Sequence, residues 1–369
     1  MGAWTLPDGV SGCLNTLWAA GHEAYPVGGC VRDLLLGRTP GDFDVCTSAR
    51  PEQTLALFAQ ARPTGLRHGT VTVLTGDGAI EVTTFRREGG YADGRHPDAV
   101  SFEAGLEEDL ARRDFTVNAM ALAPDGGVID RFGGRADLAA GIIRCVGEPE
   151  RRFTEDALRM FRAVRFAAQL GFALAPETRA ALERCAGRAA LLSGERIRAE
   201  LEKILLSPRP EAAGELIRLG LLAHLWPVRD CPALTELRET PSAPVPRWRA
   251  FCAATGFPIQ VLPVERALRR AVLHPEEEAL RTLALTGGEL AALGLRGGEI
   301  GAAQRRLAAH ILAHPEDNRR ERLLELLGPI SHGQARLPHS SHKHGGRGGE
   351  RHGSEPETGN TAGKDGGGL

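Results

Sequence analysis

The sequence lacks the features of secreted, membrane-spanning and zinc-stabilised proteins. It has no apolar run long enough to cross a bilayer and no basic-then-apolar signal at its N-terminus. Its seven cysteines are scattered, odd in number and never spaced as C-x-x-C, which argues against a disulfide framework and against a zinc site. A formal net charge of −2 provides no overall basic field, so contact with nucleic acid would need a local basic surface. We therefore expect a cytoplasmic protein with no membrane partner.

Three stretches lack regular hydrophobic patterning. Residues 85–102 are rich in Gly, Arg and Asp, and we expect a long mobile loop there, since unpatterned loops of this kind are usually functional or disordered. Residues 226–250 are rich in proline, which predicts a loop between helical modules. Residues 331–369 form a low-complexity tail rich in Gly, Ser and His, and this composition predicts disorder.

The patterned remainder predicts an α+β protein with two unlike halves. Up to about residue 150, short alternating segments and Gly turns predict a mixed sheet with flanking helices. Within this half, residues 106–122 predict a helix and residues 142–146 predict the last strand. Beyond it the apolar period is helical, which predicts an all-α second half whose first helix is capped by Thr154.

The stretch GGCVRDLLLGRTPGDFDVCTS, residues 28–48, carries the clearest chemical signal. Alternate residues of a strand share a face, so Asp42 and Asp44 should point the same way. Two adjacent carboxylates repel each other unless a cation lies between them, and oxygen ligands suit Mg²⁺. The Gly28-Gly29 pair leaves backbone N–H groups open to a phosphate. The pattern predicts metal-assisted phosphoryl or nucleotidyl transfer; an isolated D-x-D would more often be a solvated turn.

Further polar residues follow this stretch along the chain. Glu81, in a strand predicted over residues 79–85, could face the same site or face water, and we favour the site because its strand neighbours look core-facing. Arg113, Asp114 and Asn118 could share one helix face. We favour a position beside a nucleotide site over a solvated helix face.

A second group of polar residues recurs every third position: Asp156, Arg159, Arg162 and Arg165. On one helix these residues would wind gently around one side, and the simplest alternative is a salt bridge on a solvated face. An Asp–Arg pair could accept a hydrogen bond from the amino group of cytosine or adenine and donate one to the ring nitrogen. Uracil and guanine present the reverse pattern and would be rejected. The pair could therefore select CTP and ATP, with Arg162 and Arg165 on the triphosphate.

Several segments, in order, resemble the motifs of class II tRNA nucleotidyltransferases, the CCA-adding enzymes and bacterial poly(A) polymerases. They are GGCVRDLLLGRTPGDFDV, HGTVTV, EVTTF, RRDFTVNAMAL, DRFGGRADL and EDALRMFRAVRF, followed by GERIRAELEKIL, which resembles the neck helix of the family. The resemblance is close over residues 20–210 and weak over residues 285–312. It implies a polymerase-β-like nucleotidyltransferase head over residues 1–150 and a helical neck that selects the base over residues 151–220. A helical body and tail over residues 221–330 would bind tRNA, and residues 331–369 would be the disordered tail.

The resemblance also implies roles for single residues. Asp42 and Asp44 would hold the catalytic Mg²⁺ ions, with Glu81 as a nearby third carboxylate. Asp156 and Arg159 would be the protein template for the base. Residues that contact the nucleotide elsewhere would be Gly29, Arg32, Arg113, Arg162 and Arg165, with Asp114 and Asn118 beside them and residues 85–102 as the loop that helps to switch from C to A.

The implied activity is template-independent addition of CCA to the 3′ end of tRNA from CTP and ATP, with release of pyrophosphate. Alternatives in the same family are an enzyme that adds only A and a poly(A) polymerase. Arg95, His96, Pro97 and Val100 are present in the loop, which argues against a CC-only enzyme. The intact acidic set of residues 42, 44 and 81 argues against a non-catalytic RNA-binding module. The chain after residue 220 is short for the family, and it shows no phosphohydrolase-type His-Asp pair, so we expect no added phosphatase activity.

Overall fold

The computed structural model describes residues 4–89, 99–102, 104–228, 230–232 and 234–328. Most of the loop expected at 85–102, including Arg95, His96 and Pro97, lies outside these ranges, and so does the whole tail at 331–369. Within the described ranges, no helix has both the length and the apolar composition needed to cross a membrane.

The strands lie mainly in the N-terminal half. They are β1 (Ala24–Val27), β2 (Asp44–Thr47), β3 (Ala61–Gly65), β4 (Thr70–Thr75), β5 (Gly78–Thr84), β6 (Arg87–Gly89), β7 (Ala99–Ser101), β8 (Met120–Leu122), β9 (Val128–Asp130), β10 (Ile142–Ile143) and β11 (Ala173–Leu174). Seven of them form one sheet in the order β3-β4-β5-β2-β1-β8-β9. β2 and β5 are parallel and the other pairs in this sheet are antiparallel, so the sheet is mixed, as expected.

The helices of this half are α1 (Asp8–Ala19), α2 (Gly29–Leu35), α3 (Pro51–Leu57), α4 (Leu106–Ala111) and α5 (Gly134–Ala140). α1 covers one face of the sheet because Leu14 and Leu17 pack with Val45 and Val82, all at most 2% exposed. Burial of each such side chain stabilises the fold by about 1.5–3 kcal/mol. This packing fixes the β2–β5 pair, and with it the position of the acidic residues at one end of these strands.

The helix predicted over residues 106–122 is wrong beyond its first part. α4 ends at Ala111, and a single 3₁₀ turn (Thr116–Asn118) leads into β8. β8 pairs with both β1 and β9, and its residues are fully buried. Tertiary pairing therefore outweighs the local helical pattern. The strand predicted over 142–146 is reduced to β10, which pairs with β11 outside the main sheet.

The single helix expected from Thr154 is interrupted. α6 (Pro149–Glu155) has proline in its first turn, where the missing N–H costs nothing, and Thr154 lies inside it. The backbone is extended at Asp156, with φ −143° and ψ 108°, before α7 (Leu158–Leu170) begins. The Leu158 N–H donates to Asp156 Oδ1 at 3.0 Å. The prediction that Asp156 shares one helix with the three arginines is therefore wrong.

The second half is helical, which confirms the predicted α+β class. Its remaining helices are α8 (Pro176–Cys185), α9 (Gly194–Leu205), α10 (Ala213–Arg218), α11 (Pro244–Thr255), α12 (Arg266–Leu273), α13 (Pro275–Thr282), α14 (Gly287–Ala292), α15 (Gly298–Ala313) and α16 (Arg320–Leu327). The loop predicted over 226–250 is partly wrong, because α11 starts inside it and buries Trp248 and Phe251. Its prolines stand in the first turn, where a helix tolerates them.

Candidate active site

Three acidic residues lie at one end of the parallel β2–β5 pair. Asp44 is the first residue of β2 and is in register with Glu81 on β5, while Asp42 lies just before the strand. Asp44 is half-buried, and Asp42 and Glu81 are exposed. Burial raises the pKa of Asp44 to about 6; Arg113 opposes this rise, and the charges of Asp42 and Glu81 add to it. The three carboxylates are thus close enough to repel one another.

This donor set fits a divalent cation that prefers oxygen ligands. Carboxylates suit Mg²⁺, and a cation would relieve the repulsion from Asp42 and Glu81 that adds to the effect of burial on the pKa of Asp44. In the part of the chain that the structure describes, no group of three or more Asp, Glu, His or Cys side chains is arranged to hold a metal ion unaided. Mg²⁺ usually binds one or two protein carboxylates and completes its coordination shell with phosphate oxygens and water. The Asp42–Asp44 pair supplies that number of carboxylates.

Gly28 brings a guanidinium close to these carboxylates. Its φ is +85°, and a Cβ placed there would lie 2.7 Å from Arg113 Nη1 and 3.8 Å from Asp44 Oδ2. Only glycine satisfies both the left-handed backbone and the close approach. Gly29 then begins α2 and lines the cleft described next.

A cleft of about 700 Å³ opens between the sheet and helices α7 and α9. Arginines outnumber aspartates two to one among its lining residues, which are Gly29, Arg32, Asp42, Asp44, His68, Arg86, Arg112, Arg113, Asp114, Asn118, Asp156, Leu158, Arg159, Arg162, Arg165, Phe166 and Arg196. This excess of positive charge suits a polyanionic ligand. Glu81 is outside the lining set, although it is in register with Asp44.

Carboxylates behind the cleft wall hold several of these arginines in place. Arg32 donates to both oxygens of Asp33, at 2.9 and 3.0 Å, and to Asn118 Oδ1 at 2.7 Å. Asp109, whose side chain is 0% exposed, accepts from Arg112 at 2.6 Å and from Arg113 at 3.4 Å. The carboxylates therefore hold these arginine side chains in fixed conformations, so little side-chain entropy remains to be lost when a ligand binds.

Asp114 also holds an arginine side chain in place, and it does so inside the cleft. Its Oδ2 accepts from Arg162 Nε at 2.7 Å, and its Oδ1 accepts from Asn118 Nδ2 at 3.3 Å. Burial alone would raise the pKa of Asp114, but the charges of Arg162 and Arg159 outweigh it and hold the pKa below its usual range. Asp114 is thus a charged anchor that connects the sheet to α7.

The side chains of Asp156 and Arg159 do not form the expected pair; the two residues are joined only through the backbone, where the Arg159 N–H donates to the Asp156 carbonyl at 3.0 Å. Asp156 Oδ2 accepts from Arg196 Nη2 on α9 at 3.1 Å. Arg159 Nη1 donates instead to Glu155 Oε2 at 2.7 Å, and its Nη2 donates to the Arg112 carbonyl at 2.9 Å. Asp156, Arg159 and Arg196 nevertheless all line the cleft, so one carboxylate and two guanidiniums face the same space.

Arg165 occupies a more structural position than expected. Its Nε donates to Glu200 Oε2 at 2.6 Å, and its Nη1 donates to Gln169 at 3.0 Å. The residue is 9% exposed, so its guanidinium ties α7 to α9 while still lining the cleft.

Several residues of the site were missed by the sequence analysis: His68, Arg86, Arg112, Phe166 and Arg196. Arg196 lies within the GERIRAELEKIL segment, so the resemblance was its only signal. Nothing in the local spacing connects it with Asp156. Arg86 donates to the His68 carbonyl, and it lies at the start of the stretch that showed no pattern.

The chain is similar to two known families and to curated relatives. Residues 24–144 match the family described as "Poly A polymerase head domain", and residues 171–231 match "Probable RNA and SrmB- binding site of polymerase A". The CCA-adding enzyme of Geobacillus stearothermophilus is 51% identical over 215 residues, which is 58% of this chain and 53% of the relative. That of Lactiplantibacillus plantarum is 51% identical over 235 residues, covering 63% and 58%. The chain thus spans little more than half the length of these curated relatives.

Solved structures extend the match. The crystal structure of the Bacillus stearothermophilus CCA-adding enzyme in complex with CTP is 32% identical and has a TM-score of 0.58, covering 88% of this chain and 98% of that one. The Thermotoga maritima CCA-adding enzyme complexed with tRNA, at 21% identity and a TM-score of 0.56, shares the fold. With the mixed sheet, the acidic pair and the helical second half in place, these likenesses confirm the family resemblance: the chain belongs to the family of class II tRNA nucleotidyltransferases and bacterial poly(A) polymerases.

Proposed function

We propose that this chain is a nucleotidyltransferase that adds CCA to the 3′ end of tRNA from CTP and ATP and releases pyrophosphate. The observation that carries the proposal is that Asp42 and Asp44 line the same cleft as Asp156, Arg159 and Arg196. The acidic pair offers oxygen ligands for a metal-bound triphosphate. Asp156 and the two arginines offer a carboxylate and two guanidiniums for a base edge. We infer that a single nucleotide contacts both groups.

Asp42 and Asp44 are the residues that would hold Mg²⁺. When bound, the ion would supply activation of the attacking hydroxyl and stabilisation of the leaving group. In the reaction the tRNA 3′-hydroxyl forms a bond to the α-phosphorus, the bond to the β-phosphate oxygen breaks, and pyrophosphate leaves. The arginines that line the cleft orient the triphosphate and offset its charge, and Arg113 lies close to Asp44 beside Gly28.

Base choice follows from the hydrogen-bonding groups of Asp156, Arg159 and Arg196. The Asp156 carboxylate can only accept, so it suits the amino group shared by cytosine and adenine. A guanidinium, from Arg159 or Arg196, can only donate, so it suits the adjacent ring nitrogen. Uracil and guanine would set a carbonyl against the carboxylate and an N–H against a guanidinium, which leaves buried polar groups unpaired.

We place the tRNA along the helical second half, where residues 171–231 match a family described as RNA-binding. Contact would be mainly with the phosphate backbone and the shape of the tRNA. The Thermotoga maritima CCA-adding enzyme, which shares this fold at 21% identity, has been solved in complex with tRNA.

The test offers the purified chain tRNAs that end before CCA, in C or in CC, with each nucleoside triphosphate and Mg²⁺. We expect two C residues and then one A, no incorporation of U or G, and no reaction after chelation. Addition of A alone, only to CC ends, would contradict full CCA addition. Long A tails on any RNA would identify a poly(A) polymerase instead.

A further inference from the structure

One aromatic ring lies among the arginines that line the cleft. Phe166 on α7 lines the cleft and is 7% exposed. The guanidinium carbon of Arg165 lies 4.0 Å from the ring centroid, that of Arg162 lies 5.3 Å away, and that of Arg32 lies 5.4 Å away. All three distances are within the range of cation–π attraction. Among the described residues, Phe166 is the ring on which such contacts converge.

Three cations brought to one ring repel each other, and the fold has to offset that repulsion. Burial lowers the pKa of Arg165, Glu200 raises it, and the charge of Arg162 lowers it further. Each guanidinium also has a carboxylate partner: Asp33 for Arg32, Asp114 for Arg162 and Glu200 for Arg165. These ion pairs offset part of the repulsion among the three arginines. The negative face of the Phe166 ring is the attractive element that lies between them.

The Phe166 ring also packs against a second aromatic ring in the core. Phe115, which is 0% exposed, meets it edge to face, with ring centroids 5.8 Å apart and an interplanar angle of 78°. Edge-to-face packing fixes the plane of an aromatic ring. The orientation of the Phe166 face is therefore set by the core, and it does not depend on a ligand.

We propose that Phe166 is a positioning residue for the triphosphate: its ring holds Arg32, Arg162 and Arg165 as one array before the nucleotide arrives. The ligand class is a polyphosphate, whose several charges need several cations at fixed spacing. The inference rests on the proposed function in taking that polyphosphate to be the tail of CTP or ATP. It does not depend on which nucleotides are added to which RNA.

The competing explanation is that Phe166 is an ordinary core residue that happens to lie near arginines. A matched control exists on the same helix. Phe161 is 0% exposed and packs in the same apolar core. In the described part of the chain, no guanidinium lies over its ring. Phe166→Leu and Phe161→Leu each remove one buried ring, but only the first removes cation–π contacts.

The experiment measures the Kd of inorganic tripolyphosphate and of CTP, with Mg²⁺ and without tRNA, together with thermal stability. We expect Phe166→Leu to raise both Kd values about five- to tenfold. Phe161→Leu should leave both Kd values unchanged while lowering stability. Phe166→Tyr, which keeps the ring, should restore tight tripolyphosphate binding. In turnover, Phe166→Leu should raise KM for CTP more than it lowers kcat.

An unchanged tripolyphosphate Kd in Phe166→Leu, with stability lowered as in Phe161→Leu, would overturn the proposal. If Phe166→Leu does not fold, Phe166→Met offers the same comparison with a flexible side chain in place of the ring. The binding measurement contains no tRNA, so a failure of the CCA-addition proposal would leave its outcome unaffected.

Discussion

The Asp156 carboxylate accepts a hydrogen bond from Arg196 Nη2 at 3.1 Å, although the two residues are 40 positions apart in the chain. The side chains are 20% and 22% exposed, so the pair is partly shielded from solvent. Asp156 lies in the break between α6 and α7, where its Oδ1 accepts from the Leu158 N–H at 3.0 Å. Arg196 on the neighbouring helix α9 supplies a second constraint on the same carboxylate.

Replacement of Arg196 should therefore weaken base selection. We expect Arg196→Gln to lower kcat/KM for CTP and ATP about ten- to a hundredfold, because a hydrogen bond to a charged group is lost. Incorporation of UTP and GTP should fall less, so that discrimination relaxes, while the Mg²⁺ dependence stays as in the wild type. Competition assays with all four nucleotides measure the ratio.

Arg198→Gln is the matched control for this variant. Arg198 is on the same helix, is 28% exposed and pairs with Glu202 at 3.2 Å. It should keep wild-type discrimination. Equal discrimination in both variants would remove Arg196 from the account of base choice.

Gly28 should tolerate no side chain. In Gly28→Ala the new Cβ would displace Arg113, and we expect kcat/KM to fall about a hundredfold, as small misplacements in active sites do. Gly21→Ala is the control, because Gly21 has a similar φ of +82° and open space around it. Both variants should lose about 1–3 kcal/mol of stability to backbone strain. Comparable activity in the two would mean that the approach of Arg113 to Asp44 does not matter.

Protonation of Asp109 should lower the free energy of unfolding at acid pH. Its burial would raise its pKa, but Arg112 and Arg113 outweigh this and hold the pKa below its usual value. A carboxyl with a depressed folded-state pKa contributes stability that is fully present above the unfolded pKa of about 4 and is lost as pH falls through the folded pKa. Asp109→Asn should therefore flatten the acid limb of a plot of the free energy of unfolding against pH.

At neutral pH the same variant should lose about 3–5 kcal/mol, because two guanidiniums lose a buried partner. Glu107→Gln, at an exposed position on the same helix, should keep the wild-type profile. An acid limb that is equally steep in Asp109→Asn would show that other carboxylates govern acid unfolding.

Replacement of one metal-binding carboxylate should separate chemistry from RNA binding. We expect Asp42→Ala to lower nucleotide addition below detection, because it removes one of two proposed protein ligands of the metal. Binding of tRNA should be nearly unchanged, since the helical half that we propose for tRNA contact is distant in sequence. Gel-shift and incorporation assays on the same preparation distinguish the two. Residual C addition by Asp42→Ala would contradict the metal assignment.

The sequence was sufficient where the signal was local. The mixed sheet and the helical second half follow from hydrophobic period. Strand alternation did not place Asp42, because β2 begins only at Asp44. The position of Glu81 opposite Asp44 depends on the register of a parallel pair, which no local pattern encodes. The failed helix over 106–122 has the same origin, because β8 exists only through its pairing with β1 and β9.

The arginine network shows the same limit at the level of side chains. Arg159 was expected to pair with Asp156, three positions away, as helical spacing favours. The break in the helix at Asp156 turned each residue toward another partner, Glu155 and Arg196. The Asp156–Arg196 pairing depends on the packing of α7 against α9, and therefore on residues far apart in the chain.

The most direct test of the central claim is a crystal structure of this chain with CTP and Mg²⁺. The account predicts a metal ion between Asp42, Asp44 and the triphosphate, with the cytosine amino group donating to Asp156 and a guanidinium from Arg159 or Arg196 donating to the ring nitrogen. A triphosphate bound away from Asp44, or a base bound away from Asp156, would contradict it.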